Sequence, residues 1–260
     1  MHTVSLKCFG VGDGAACPDR NHSSFLYQFS KAALLFDCGE PISGSFKASG
    51  LDYDLIDRIF ISHLHADHIG GFFMLMQGFW LARRRKDLIV HMPEEGIQPV
   101  RQMLNASCIF EELVGFRLIY EPLKSEQTEE VNGVRVTPFM TTHLDALRKA
   151  FQAQHPQAFA AFCFLLETGP LRIGHSADLG KPNDLDPLLQ RPLDLLVCEL
   201  SHFTPEDLFA YLQGKPIRRI VFIHLNRAYW EQLPAVRKLA GKMLTEIPFT
   251  FARDLETVTL

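Results

Sequence analysis

Short apolar runs bounded by polar turns recur along the chain and predict strands at residues 4–9, 24–29, 32–36, 58–62, 88–91, 116–120, 134–139, 161–167, 171–174, 193–198, 219–224 and 249–252. Between some of them the apolar spacing lengthens to the helical period, predicting helices over 67–84, 94–105, 205–213 and 230–244. The early strands follow one another in hairpin succession, with only Ser30-Lys31 between two of them, whereas the later ones alternate with helices. That mixture predicts an α+β chain of two packed sheets with helices outside, not one doubly wound parallel sheet. Asn132-Gly133, after Glu129-Glu130-Val131, is a strong type I′ hairpin signal. Residues 143–160 form a polar insertion between two strands, read equally as a helical flap over a site or as a surface connection.

Composition narrows the class without choosing the chemistry. With 260 residues, 47% hydrophobic and 22% charged, the chain suits one globular domain spanning 1–260 with a substantial core. A net charge of −4 gives no global attraction to nucleic acid. The run Arg83-Arg84-Arg85-Lys86 reads as the solvated end of a helix, where the macrodipole favours cations. The six cysteines form no C-x-x-C pair, and Cys38 and Cys198 sit inside apolar runs as core thiols, which fits a reducing compartment. The N-terminal segment lacks the charged and apolar regions of a signal peptide, and the apolar stretch 69–82 is too short to span a bilayer. A cytoplasmic location with no membrane partner is the expectation.

The chemistry is concentrated at His63-Leu64-His65-Ala66-Asp67-His68, directly after the apolar strand pattern at 58–62. Three of the chain's eleven histidines stand in this one loop. Imidazole and carboxylate are ligands for borderline divalent cations such as zinc. In extended backbone residues two apart point the same way, so His63 and His65 can converge on one ion while Asp67 and His68 face a second position. Further donors stand at strand ends, where scaffolds assemble sites: His143, Asp178 and His224. His22, His91, His155 and His175 are expected to be structural or peripheral, with His22 and Asn21 the nearest candidates for a substrate pocket.

These residues resemble the metallo-β-lactamase superfamily, whose His-x-His-x-Asp-His signature is matched at His63, His65, Asp67 and His68. The resemblance implies a metallo-β-lactamase-like four-layer αββα sandwich. It implies one metal on His63, His65 and His143, a second on Asp67, His68 and His224, and Asp178 bridging both. Within the superfamily the chain is most similar to the ribonuclease Z-like branch of phosphodiesterases. Gly10-Val11-Gly12, Arg20-Asn21-His22-Ser23-Ser24, Leu35-Phe36-Asp37-Cys38-Gly39-Glu40, Leu88-Ile89-Val90-His91-Met92-Pro93 and His224-Leu225-Asn226-Arg227-Ala228-Tyr229 carry that likeness. The branch's proton-transfer pair falls on Glu199 and His202, with Asp67 orienting the attacking water.

The expected function is therefore a metal-dependent hydrolase, a phosphodiesterase using a hydroxide at a dinuclear centre on a small, cyclic or nucleotide-like phosphodiester. Its cofactors would be two divalent ions, Zn2+ first, with Mn2+ or Fe2+ as alternatives. Transfer RNA is disfavoured as a partner, because only Thr168-Gly169-Pro170 stands where transfer RNA-processing members carry a Gly/Pro-rich arm. The 143–160 insertion also replaces the short His-to-Gly-Tyr segment of those members, and the cysteine-rich zinc site of the phosphonate-pathway cyclic phosphodiesterases is missing. A homodimer is allowed. The competing readings are an ester, lactone or thioester hydrolase on the same residues and a catalytically silent metal-binding sensor.

Overall fold

Each apolar run becomes a strand, and two strands form that the pattern did not mark. The computed structural model describes residues 4–260; Met1-His2-Thr3, where the signal-peptide reading begins, lie outside the described residues. The chain opens with β1 (Ser5–Gly10), β2 (Ser24–Gln28), β3 (Ala33–Phe36), α1 (Ile42–Ala48), β4 (Arg58–Phe60), α2 (Ala66–Ile69), α3 (Phe72–Leu81), β5 (Leu88–Met92), α4 (Glu94–Ala106), α5 (Glu111–Val114) and β6 (Leu118–Pro122). It continues through β7 (Glu129–Val131), β8 (Val134–Met140), α6 (Asp145–Phe151), β9 (Phe162–Thr168), β10 (Leu171–His175), β11 (Leu195–Leu200) and α7 (Pro205–Leu212). It closes with β12 (Ile220–Leu225), α8 (Arg227–Glu231), α9 (Leu233–Met243), β13 (Phe249–Phe251) and β14 (Thr257–Thr259).

Two seven-stranded mixed sheets result, ordered β14-β1-β2-β3-β4-β5-β6 and β13-β12-β11-β10-β9-β8-β7. In the first, β3 through β6 are parallel and β14, β1, β2 and β3 antiparallel. In the second, β10 through β13 are parallel and β8, β9 and β10 antiparallel. By compactness the chain divides into two units. One comprises the chain through Lys124 with Val131–Gly133 and Arg253–Leu260; the other comprises Ser125–Glu130 and Val134–Ala252.

Helices cover one face of the first unit's sheet because their apolar positions recur at helical spacing. Phe72, Leu75, Met76 and Phe79 of α3 are all buried against Leu35, Ile59, Ile61 and Val90. In the second unit Leu208, Phe209 and Leu212 of α7 and Val236 and Ala240 of α9 bury against Leu196, Cys198 and Phe222. Each fully buried Leu or Phe contributes on the order of 1.5–3 kcal/mol of transfer free energy, so these faces hold the helices in place. Burial pushes the Cys38 and Cys198 thiols well above their ordinary range, which makes them inert core residues, as the sequence implied. His91 is also a core group: it stacks on Phe60 with centroids 4.5 Å apart, and burial, then Arg58, lowers its pKa to about 4.

Two local readings change, those of the 67–84 helix and of Arg84. The single helix predicted over 67–84 is divided between α2 and α3 at Gly70-Gly71, where a Cβ on Gly71 would meet the Gly39 and Cys38 carbonyls at 2.8 and 3.0 Å. That close approach is tertiary, and helical periodicity carries no trace of it. The 143–160 insertion contains α6, none of whose residues is buried. Arg84, read as part of a solvated helix end, is 2% exposed. Its guanidinium donates to the carbonyls of Tyr53, Ile56 (2.7 Å) and Asp87 (3.1 Å) and stacks 5.2 Å from the Phe79 ring. Only its neighbours Arg83, Arg85 and Lys86 are solvated. Arg84→Met would strip donors from three carbonyls, each costing about 1–3 kcal/mol if left buried and unmatched. We expect a fall in Tm of roughly 10 °C; a melt within about 2 °C of wild type would refute the role.

The Asn132-Gly133 turn adopts positive φ at both positions, 50° and 86°, as a type I′ turn requires. Among the described residues no helix is long and apolar enough to cross a membrane.

Candidate metal centre

In the first unit the parallel strand β4 delivers an extended segment, Ile61-Ser62-His63, to the sheet's C-terminal edge, and α2 begins three residues later. This is the usual place for ligand-binding loops in parallel sheets. His63 and His68 are buried, their ring centroids 4.1 Å apart, and His65 packs edge-on to His63 at 4.7 Å. His68 Nε2 lies 3.4 Å from Asp67 Oδ2. The four residues read from the sequence as a ligand run therefore converge.

Asp37, quoted in the sequence only as part of a likeness, organises them. Its carboxylate accepts hydrogen bonds from Ser62 N (2.7 Å) and Ser62 Oγ (3.0 Å) and lies 2.7 Å from His68 Nδ1. Ser62 Oγ also lies 3.0 Å from His63 Nδ1. With both Nδ1 atoms engaged, Nε2 is the atom through which each ring could hold a metal ion, an arrangement that fixes tautomer and raises basicity. The β3–α1 turn locks the same loop, since Cys38 N donates to His68 O at 2.7 Å. Gly39 is obligatory there: a Cβ would stand 2.2 Å from Asp67 O. Asn21 and His22 are engaged by neighbouring protein groups, Asn21 Nδ2 donating to Phe9 O (2.8 Å) of β1 and His22 Nδ1 lying 2.8 Å from Asp13 O.

In the second unit Asp178, 2% exposed, is ringed by imidazoles. His224 Nε2 is 3.4 Å from its Oδ1, and His143 Nε2 and His202 Nε2 are 3.6 and 3.7 Å from its Oδ2. Each comes from a strand end: His143 after β8, Asp178 after β10, His202 after β11, His224 within β12. Asp184 steadies the His143 segment by accepting from Thr142 N and Gly180 N, both at 2.9 Å. Glu199, fully buried, accepts from Leu179 N (2.8 Å), Ser201 N (2.7 Å) and His202 N (3.2 Å). Its Oε1 stands 2.8 Å from His202 Nδ1, so one carboxylate fixes both the Asp178 turn and the His202 ring.

Sequence reasoning missed Asp37, Ser62 and Asp184, which hold the candidate ligands, and Ser176, whose Oγ accepts from Glu199 N at 2.9 Å. An acidic residue immediately after the all-apolar β3 was the available signal for Asp37. Backbone strain marks the same places: Asp37 (φ 58°), Ala177 (φ 44°) and His224 (φ 47°) take left-handed conformations that a non-glycine residue adopts only under constraint.

The donor set fits divalent cations. Ligands each about 2.0–2.2 Å from a tetrahedral ion stand about 3.3–3.6 Å from one another. The imidazole–carboxylate separations within each unit, 3.4 Å at Asp67 and 3.4 and 3.6 Å at Asp178, lie at that edge length and beyond hydrogen-bond range.

The profile of the family described as Anti-Pycsar protein Apyc1 matches residues 4–191. The chain belongs to that family. Among curated relatives of this Apyc1-family chain, ribonuclease Z of Methanococcus maripaludis strain C5 is 30% identical over 210 residues, covering 78% of this chain and 62% of that protein. The chain spans about three fifths or less of the length of the first curated relatives it matches, from 62% down to 29%. The metallo-β-lactamase fold protein YhfI from Bacillus subtilis superposes with a TM-score of 0.79 over 99% of this chain and 100% of that one, at 15% identity. Human tRNase Z, short form, does so with 0.72 over 98% of each chain at 19% identity. The fold is that of the metallo-β-lactamase superfamily, and the resemblance to its ribonuclease Z-like hydrolases, read from the His63–His68 loop outward, is borne out.

Proposed function

We propose that this Apyc1-family chain is a dinuclear metal-dependent phosphodiesterase acting on a small, cyclic or nucleotide-like phosphodiester. His63, His65 and His143 would hold one divalent ion and Asp67, His68 and His224 the other, with Asp178 available to both. Zn2+ suits an imidazole-rich donor set with carboxylates, as Mn2+ or Fe2+ do less closely. Bound there, the pair would lower the pKa of water towards about 7 and polarise the phosphoryl oxygen.

The chain's own groups supply the proton transfers. Asp67 accepts the proton of the attacking water as its oxygen bonds to phosphorus. His202 Nε2 gives a proton to the departing oxygen as the phosphorus–oxygen bond breaks, leaving a phosphomonoester and an alcohol. Glu199 holds His202 by Nδ1 at 2.8 Å, so Nε2 carries the mobile proton and the carboxylate stabilises the imidazolium. That contact is the observation that carries the phosphodiester reading, because an alkoxide leaving group gains most from a positioned acid. Thr168 and Leu171, the ends of β9 and β10, are joined by Gly169-Pro170 alone, which supports a substrate smaller than transfer RNA. The net charge of −4 supports it too. From the family description alone, we place the biological setting in anti-Pycsar action.

The test is turnover by zinc- or manganese-loaded protein of bis-p-nitrophenyl phosphate, a lactone and a thioester side by side. Cleavage of the diester and of cyclic nucleotide diesters is expected. Cleavage of the carbonyl substrates alone would replace this reading with the ester, lactone or thioester hydrolase. Two bound ions without any turnover would favour the silent metal sensor.

A further inference from the structure

The loop between β1 and β2 is a closed hairpin over residues 11–22, Gly12 N donating to Asn21 O at 2.8 Å. Part-way along it, Gly14 lies flat against the ligand loop: a Cβ there would stand 3.4 Å from Asp67 Oδ2. The two arms of the hairpin are joined at their base by one carboxylate from the far end of the chain. Asp254 Oδ1 accepts from Val11 N at 3.0 Å, and its Oδ2 accepts from Asn21 N at 2.6 Å. Asp254 is itself anchored, because Leu255 N donates to Cys8 O (2.6 Å), Cys8 N to Glu256 O (2.9 Å) and Arg253 N to Glu256 Oε2 (2.9 Å). The turn thus docks on β1 before β14 pairs with it.

Neither neighbouring group substitutes for that carboxylate. Asn21 Nδ2 ties its arm to Phe9 O and to Ser45 Oγ (3.1 Å), and His22 Nδ1 lies against Asp13 O; both help to close the hairpin, but neither reaches Val11 N. Hydrogen bonds from N–H to an ionised carboxylate are stronger than those between neutral groups, so Asp254 adds a charged tether to the hairpin base beside the Gly12 N–Asn21 O bond.

We propose that Asp254 is a positioning residue: it holds the 11–22 hairpin closed against Asp67 and so fixes that carboxylate for the chemistry proposed above, on whose assignment of Asp67 this inference rests. Asp254→Asn tests it in the full chain. The amide oxygen keeps one N–H bond, while its NH2 opposes the other N–H, so the base opens without loss of side-chain volume. Asn21→Ala loosens the same hairpin without touching the C-terminal turn.

Hydrogen exchange of residues 11–22 should accelerate at least about 10-fold in both variants while β11 and β12 amides stay at wild-type rates. Zinc affinity and kcat on bis-p-nitrophenyl phosphate should each fall about 10-fold, with KM changing less. Wild-type exchange over 11–22, or faster exchange with zinc affinity and kcat unaltered, would overturn the proposal. Should the wild-type protein cleave no diester, the phosphodiesterase reading fails, and exchange with zinc affinity still decides the role of Asp254.

Discussion

Asp178→Asn is expected to abolish binding of both metal ions and to lower diester turnover by roughly 10³-fold or more. The substitution is nearly isosteric, so the backbone that sets the side chain survives: Thr141 Oγ1 still donates to Asp178 O (3.0 Å) and Leu179 N to Glu199 Oε1 (2.8 Å). What changes is charge. Three imidazole nitrogens stand 3.4–3.7 Å from the carboxylate oxygens, and an amide presents them with one neutral oxygen and an NH2 group. A shared neutral ligand cannot offset the repulsion of two dications, each of which loses a charged partner in a buried setting. Metal analysis of the purified variant and its turnover are the readouts. A variant that retains two metal equivalents would sink the shared-ligand assignment whatever its activity.

The second large effect separates chemistry from metal binding. His202→Ala should keep wild-type metal content, because Glu199 and not His202 holds the Asp178 turn through Leu179 N. Turnover should fall by about 10²–10⁴-fold for diesters with alkyl leaving groups, the usual contribution of a general acid. For bis-p-nitrophenyl phosphate the fall should be nearer about 10-fold, since a weakly basic phenolate departs with little help. The slope of log kcat against leaving-group pKa therefore steepens in the variant. An equal loss across all leaving groups would contradict proton donation, and loss of metal would make His202 a ligand.

The candidate donors were legible in the sequence because liganding imposes chemistry on residue type: His63, His65, Asp67 and His68 are conspicuous after an apolar strand, and His143, Asp178 and His224 stand at strand ends. Residues that hold them are less visible. Asp37 and Asp184 act through backbone N–H groups and one serine or threonine hydroxyl each, contacts that join segments 25 and 42 positions apart and leave no local pattern. Arg84 shows the opposite failure, a charge run whose second member is buried under three carbonyls from loops the periodicity did not place. Expected strands lie within two residues of the observed ones at either end. The missed β14 is three residues long with only Val258 buried, too short for an alternation to register.

Two divalent ions would together perform the proposed hydrolysis, and a metal titration decides whether both are needed. Metal-free protein is reconstituted with zinc in fractional steps while bound equivalents and bis-p-nitrophenyl phosphate turnover are measured on the same samples. Two bound equivalents per chain are expected, with turnover rising mainly on filling the second. Full activity at one equivalent, or saturation with two and no diester cleavage, would contradict it.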